Sequence, residues 1–336
     1  MMNFYQIPDE DKLLIYKGTV RGLNMDIPED AIEKDWWAVQ TLRLVFETKA
    51  GKHMVFKGGT SLSKGWNLID RFSEDVDLGL SWGFLGFPED ISRNQVKTKL
   101  RKASNHYLSN DFKTDLQQAF EKNGIKNAEV FKLEKGDPDQ DPIEFEIRYP
   151  RITENEGALT PTVRLEIGIR SMREPHTKRE IRSFVGEVFQ GESFADAPIN
   201  IPCVNPERTF LEKLFLLHEE FKRPERKIRF ERMSRHLYDI DKISRTLFYE
   251  KAISNGNLYR SIVKHREKFS RMGGVNYESH YPPNLNPIPP AEYMKHYQED
   301  YEKMQLGMIY DSASLPFEEL IENIRRIAAE INEKIF

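Results

Sequence analysis

The spacing of the hydrophobic positions changes character along this chain, and the changes divide it into elements. Between Glu29 and Ala50, Ile32, Trp36, Val39, Leu42, Val45 and Phe46 recur at three- and four-residue steps, which predicts an amphipathic helix. Pro28 and the acidic Glu29-Asp30 suit its start. The unbroken run His53-Met54-Val55-Phe56 reads as a short buried strand, followed by a short helix over about Ser61 to Leu68. After a turn through Asp70-Arg71-Phe72-Ser73, Val76 and Leu78 alternate with Asp75 and Asp77, the period of a strand. A polar helical region spans about Pro88 to Asn123, and its basic residues read as a solvated face. Four strand-like pieces follow, Ala128 to Lys132, Ile143 to Tyr149, Val163 to Ile169 and Glu180 to Phe189. From Asn205 the period becomes helical, with Phe210, Leu214 and Leu217 repeating behind Pro206. Ser279 to Pro290 is proline-rich and linker-like. Ala291 to Met304 and Phe317 to Ile335 read as helices, the latter with an apolar stripe of Leu320, Ile324, Ile327 and Ile331. Residues 1 to 28 show no clear period. The expectation is an α/β (α+β) chain: a mixed-sheet domain over residues 1–200, then a helical domain over residues 201–336.

Composition narrows the class. The 336 residues suffice for one large or two ordinary domains. A charged content of 31% against 39% hydrophobic residues suits a soluble protein. The net charge of -4 argues against global nucleic-acid affinity and directs attention to local patches. Cys203 is the single cysteine, so no intramolecular disulfide forms. No apolar run reaches membrane-spanning length and the N-terminus lacks a signal-peptide pattern, so the expected location is the cytoplasm, with no membrane partner.

The chemistry concentrates between Lys57 and Leu80. Gly58 and Gly59 are followed by the hydroxyls of Thr60, Ser61 and Ser63, a turn whose backbone N–H groups would favour an anion at a helix start. Downstream, Asp75 and Asp77 share one face of a strand. Two adjacent carboxylates repel unless a cation lies between them, and Mg²⁺ takes one or two carboxylates together with phosphate oxygens. A phosphate cradle followed by a metal-binding pair is the minimal apparatus of phosphoryl or nucleotidyl transfer. The bland alternatives are a tight turn and a solvated strand edge. A Walker A loop is excluded, because Lys64 lacks the second glycine before it.

Further along, Arg164, Glu166, Gly168 and Arg170 share a strand face, where Glu166 reads as a site carboxylate or as half of a cross-strand ion pair. Lys213 lies in a buried helical stripe, from which it can snorkel or meet a triphosphate as a point charge. The segment carrying Lys222, Arg223, Arg226, Lys227, Arg229, Arg232 and Arg235 is unusually basic. If it is helical beyond Pro224, its arginines keep to one broad side and suit a polyanion such as an RNA backbone. The alternative is a solvated helix bridged by Glu225 and Glu231. Arg235 and Asp239 are spaced one helical turn apart.

Gly59-Thr60-Ser61 with Asp75-Val76-Asp77 resembles the nucleotidyltransferase signature of a Gly-Ser/Thr turn, a spacer and Asp-x-Asp. The fuller wording, KGGTSLSK with RFSEDVDL, resembles the AbiEii/AbiGii toxin family of nucleotidyltransferases, as do the leading-helix words IEKDWWAVQTLRLVF. The resemblance runs from about residue 30 to the end of the chain.

That resemblance implies a nucleotidyltransferase-type mixed sheet, with Lys57, Gly58, Gly59, Thr60, Ser61 and Lys64 around a nucleoside triphosphate. It implies Mg²⁺ (or Mn²⁺) on Asp75 and Asp77, with Glu166 as third carboxylate; Glu144 and Glu146 are alternatives for that place. Lys213 would serve the nucleotide phosphates, and Asp239, or its neighbour Asp241, would complete the site. Arg170 would face a phosphate. The implied role is the toxin of a toxin–antitoxin or phage-defence pair, with an antitoxin encoded nearby and RNA, at the tRNA acceptor end, as substrate. A protein hydroxyl as acceptor and a non-catalytic nucleotide-binding protein remain the alternatives.

Overall fold

The computed structural model describes residues 4–23, 25–73, 75–88, 90–134, 141–154, 159–170, 173–311 and 313–336. The chain divides into two compact units, Met1–Trp66 with Phe72–Cys203, and Asn67–Arg71 with Val204–Phe336.

In the first unit, α1 (Asp9–Leu23) and α2 (Glu29–Glu47) precede β1 (Met54–Lys57). The short α3 (Gly58–Thr60) runs directly into a π turn, Ser61–Gly65, and β2 (Asp75–Leu80) follows. One long helical path is made of α4 (Arg93–Gln95), α5 (Arg101–Tyr107) and α6 (Lys113–Lys122), joined by the π turns Val96–Leu100 and Leu108–Phe112. Then come β3 (Glu129–Lys132), β4 (Ile143–Arg148), β5 (Thr162–Gly168), β6 (His176–Ile181), α7 (Phe184–Val188) and β7 (Ile199–Val204). Among the described residues seven strands form one mixed sheet, in the order β3-β4-β5-β2-β1-β7-β6. β2 is antiparallel to β1 and parallel to β5, which makes it a central strand, buried through Val76, Leu78 and Leu80.

Two expectations for this unit change. The strand expected over Glu180 to Phe189 is β6 followed by α7. Ser183 ends the strand, because its side-chain oxygen accepts from the Gly186 N–H at 3.0 Å and caps a new helix. β7 and α1 are elements that the hydrophobic spacing did not reveal. Finally, of the two readings open for Glu33, Lys34 and Asp35 on α2, a solvated or a bridging face, the structure has them buried and Glu33 and Asp35 bridging. The Glu33 carboxylate accepts from the Ile152 N–H at 2.9 Å and from the Thr153 hydroxyl at 2.6 Å, so a charge on α2 satisfies a loop's backbone.

The second unit is helical: α8 (Pro206–Glu220), α9 (Ser234–Ser244), α10 (Leu247–Ser254), α11 (Gly256–Phe269), α12 (Met294–Gly307) and α13 (Phe317–Asn332). Pro206 at its first position suits the start of α8, whose sides are buried against α9, α10 and α11. α13 and α12 pack on α9. The residues Asn67–Arg71 are held to this unit by Tyr310, whose N–H donates to Asp70 O at 2.8 Å. The proline-rich stretch is no free linker. Leu285 exchanges two backbone bonds with the Asn332 amide, and the Asn286 N–H donates to His218 Nδ1 at 2.9 Å. Among the described residues no helix is long and apolar enough to cross a membrane.

Candidate active site

The sheet register aligns the charged residues of four strands. Lys57 on β1 pairs with Asp77 on β2, Asp77 with Glu166 on β5, and Glu166 with Glu144 on β4. Directly paired residues point to the same face, so these four side chains form one row across the sheet. Two residues along, Asp75 pairs with Arg164, and Arg164 with Glu146. Lys57 Nζ lies 3.8 Å from Asp77 Oδ1. Burial, then the charges of Asp77, Asp75 and Glu144, push the Glu166 carboxyl up to about 7. Of the alternatives to Glu166, Glu144 extends the same row, whereas Glu146 is bonded to Arg148 at 2.8 Å.

The glycine turn is fitted to this row. Gly58 has φ +79, and a Cβ there would lie 2.1 Å from Asp77 Oδ2. A side chain is therefore excluded twice, by the left-handed backbone and by the carboxylate packed against it. Thr60 fastens the turn to β2, its hydroxyl donating to the Ser73 and Asp75 carbonyls. The Ser61 hydroxyl donates to Phe56 O at 3.4 Å. Both hydroxyls thus hold the backbone of the turn.

Lys64 is buried and its ammonium is already neutralised, lying 3.1 Å from Asp35 Oδ1 and 3.3 Å from Glu187 Oε1, over the Phe184 ring. It ties the turn to α2 and α7. Burial raises the Asp35 carboxyl to about 6 against the opposing pull of Lys64.

In the second unit the fully buried Asp239 takes two cations. Arg71 binds it through two bonds of 2.7 Å, and Lys213 Nζ lies at 2.8 Å. Burial alone would raise the Asp239 carboxyl, but Arg71 and then Lys213 outweigh it and hold the carboxyl well below its ordinary range. Lys213 Nζ also lies 3.5 Å from His236 Nδ1. Burial, then Lys213 and Arg235, keep that imidazole neutral. Asp241 is committed elsewhere, to Arg245 at 2.7 Å and Asn323 at 2.6 Å. Arg71 opens the RFSEDVDL word but has no role assigned there; its bidentate bond to Asp239 reveals one.

The arginine segment is not a helix. It consists of a single 3-10 turn, Glu225–Lys227, and irregular chain as far as α9. Its arginines therefore share no helical side. Arg223 and Arg229 both bind the buried Glu220, at 3.1 and 2.7 Å. Arg226 is exposed, and Arg232 has φ 57. Arg170 forks onto Asp141, with Nε to Oδ2 at 2.5 Å and Nη2 to the Asp141 carbonyl at 2.6 Å.

Among the described residues, no three Asp, Glu, His or Cys side chains converge closely enough to form a ready-made metal cage. The row offers instead what a hard cation takes from a protein when it shares its shell with phosphate, namely neighbouring carboxylates from paired strands. The donors fit a divalent cation held jointly with a substrate.

Fold and site define a mixed α/β protein whose acidic row is built against a glycine turn. Residues 43–323 match the family model described as "Nucleotidyl transferase AbiEii toxin, Type IV TA system", and the chain belongs to that family of nucleotidyltransferase toxins of type IV toxin–antitoxin systems. No curated protein matches the chain. Among solved structures, JHP933 from Helicobacter pylori aligns with a TM-score of 0.45 and 16% identity, over 92% of this chain and 94% of that one.

Proposed function

We propose that this chain moves a nucleoside monophosphate from a nucleoside triphosphate to an acceptor hydroxyl of RNA, at the tRNA 3′ end, with Mg²⁺ (or Mn²⁺), and acts as a toxin in phage defence within the cytoplasm. The observation that carries the reading is the Lys57–Asp77–Glu166–Glu144 row beside Gly58.

In this reaction the acceptor oxygen bonds to the α-phosphorus, the bond from that phosphorus to the α–β bridging oxygen breaks, and pyrophosphate leaves. Asp75 and Asp77, with Glu166, are the residues to hold the cation. When bound, the cation lowers the pKa of the acceptor hydroxyl and offsets charge on the leaving group. The backbone N–H groups after Gly58 bind phosphate oxygens. Glu166 would complete the cation's shell or, outside that shell, take the proton that the acceptor loses. Lys57 balances charge along the row. The resemblance assigns Lys213 to the triphosphate; in this chain its ammonium is held by Asp239 at 2.8 Å.

The test is incubation with each α-³²P-labelled nucleoside triphosphate in turn, Mg²⁺ and total cellular RNA, beside Asp77→Asn. Label in RNA that disappears in the variant is expected. Label in protein alone would move the activity to protein nucleotidylylation. Nucleotide binding without any transfer would make the chain a binding protein.

A further inference from the structure

A cavity of about 330 Å³ lies wholly within the second unit, at the end of the arginine segment. It is lined by Phe230, Arg232, Arg235, His296, Glu299 and Lys303. Its volume is that of a small-ligand site. The backbone that shapes it is held in an unfavoured state. Arg232 has φ 57, a conformation side chains seldom adopt. Asp300 enforces it from α12: its Oδ1 accepts from the Arg232 N–H at 2.6 Å, and its Oδ2 from the Ser234 N–H at 2.9 Å and from the Ser234 hydroxyl. At the same place Phe230 is 41% exposed and stacks on His296, with ring centroids 4.8 Å apart and planes 26° apart. The imidazole thus covers part of the Phe230 ring, and the rest of the ring is open to solvent.

We infer that this cavity holds an unpaired nucleotide of an RNA. The base lies against the Phe230–His296 pair, because every base offers a π face and stacking tolerates any sequence. Arg232, Arg235 and Lys303 take the neighbouring phosphates. Glu299 and Glu231 accept from ribose hydroxyls or exocyclic amines, groups that a carboxylate reads and a phosphate lacks. The inference deepens the proposed reaction and rests on RNA being its acceptor.

The test is fluorescence anisotropy of a labelled single-stranded RNA oligonucleotide with the full chain, without nucleoside triphosphate. Phe230→Ala is expected to weaken binding about tenfold, and Phe230→Trp to retain it. Arg232→Gly relieves the left-handed backbone and so keeps the fold, yet weakens binding and lowers the slope of log affinity against log salt by about one. RNA binding unchanged in both Phe230→Ala and Arg232→Gly, or no RNA bound by the wild type, overturns the inference. So does a Phe230→Ala variant that loses affinity for free nucleoside triphosphate instead of RNA. Failure of the reaction reads differently: Phe230-dependent RNA binding by a protein that transfers no label leaves the cavity assigned and removes the proposed activity. Conversely, RNA labelling with an unchanged KM for RNA in Phe230→Ala keeps the activity and removes the cavity from it.

Discussion

At the residue scale, the row sets three carboxylates beside a single lysine, held together by the strands beneath it, and its consequences are local. Gly58 admits no side chain: a Cβ would meet the Asp77 carboxylate, and a left-handed alanine costs about 1–2 kcal/mol before that clash is counted. Gly58→Ala is therefore expected to lower the urea midpoint and abolish transfer, whereas Gly86→Ala, at equal φ +79 but in open space, lowers the midpoint alone. Glu166 sets a pH dependence. Its folded carboxyl, near 7, lies above the ordinary glutamate value of about 4.3. Between those limits the folded chain keeps a proton that the unfolded chain has released, so stability is lost as pH rises through the window, by at most about 1.4 kcal/mol per pH unit. Without metal, Glu166→Gln is expected to melt higher than wild type at pH 8 and equally at pH 4. A variant that melts lower at pH 8 would show that the Glu166 charge is not opposed by its neighbours.

At the element scale, single carboxylates tie separate pieces of chain. Asp239 on α9 binds Arg71 from Asn67–Arg71 and Lys213 from α8. Asp239→Ala strands two buried cations and is expected to cost about 3–5 kcal/mol. Lys213→Met leaves the bidentate Arg71 pair intact and is expected to cost far less. Equal losses in urea denaturation would contradict the cluster as described. Glu220, at the end of α8, collects the Arg229 N–H and guanidinium together with Arg223. Arg229→Ala should therefore reduce the melting temperature, while Arg226→Ala, at an exposed position, should leave it near wild type. This is also why the reading of one broad helical side does not hold: Arg223 and Arg229 answer to a buried glutamate at the end of α8, in a stretch that is not helical.

At the scale of the whole molecule, cation binding is expected to read out as pH-dependent stabilisation. Mg²⁺ should raise the melting temperature of the wild type at pH 8, where Glu166 is ionised, and much less at pH 5.5, where a proton takes the cation's place. Asp77→Asn should abolish the effect at both values, and EDTA should reverse it. The match to the family model over residues 43–323 spans both compact units.

The sequence by itself determined the strands β2, β4 and β5 and the helices α2, α8 and α13. Each buries a face wide enough to impose its own period of two or 3.6. It nominated Asp75, Asp77 and the glycine turn as well, because a short-range signature carries them between Lys57 and Leu80. Only the tertiary structure decided the rest. Strand register set Glu166 beside Asp77 and Glu144 beside Glu166, and register is a contact between segments that sequence spacing does not encode. Arg71 acquired its partner 168 residues away, through a buried carboxylate that leaves no periodic trace. Lys64 turned from a phosphate candidate into a tether, since a lysine's role is fixed by which charges surround its ammonium. β7 and α7 stayed hidden for other reasons: β7 is interrupted by Pro202 and does not alternate cleanly between buried and open positions, and α7 is a five-residue helix begun by a serine cap, too short to show a period.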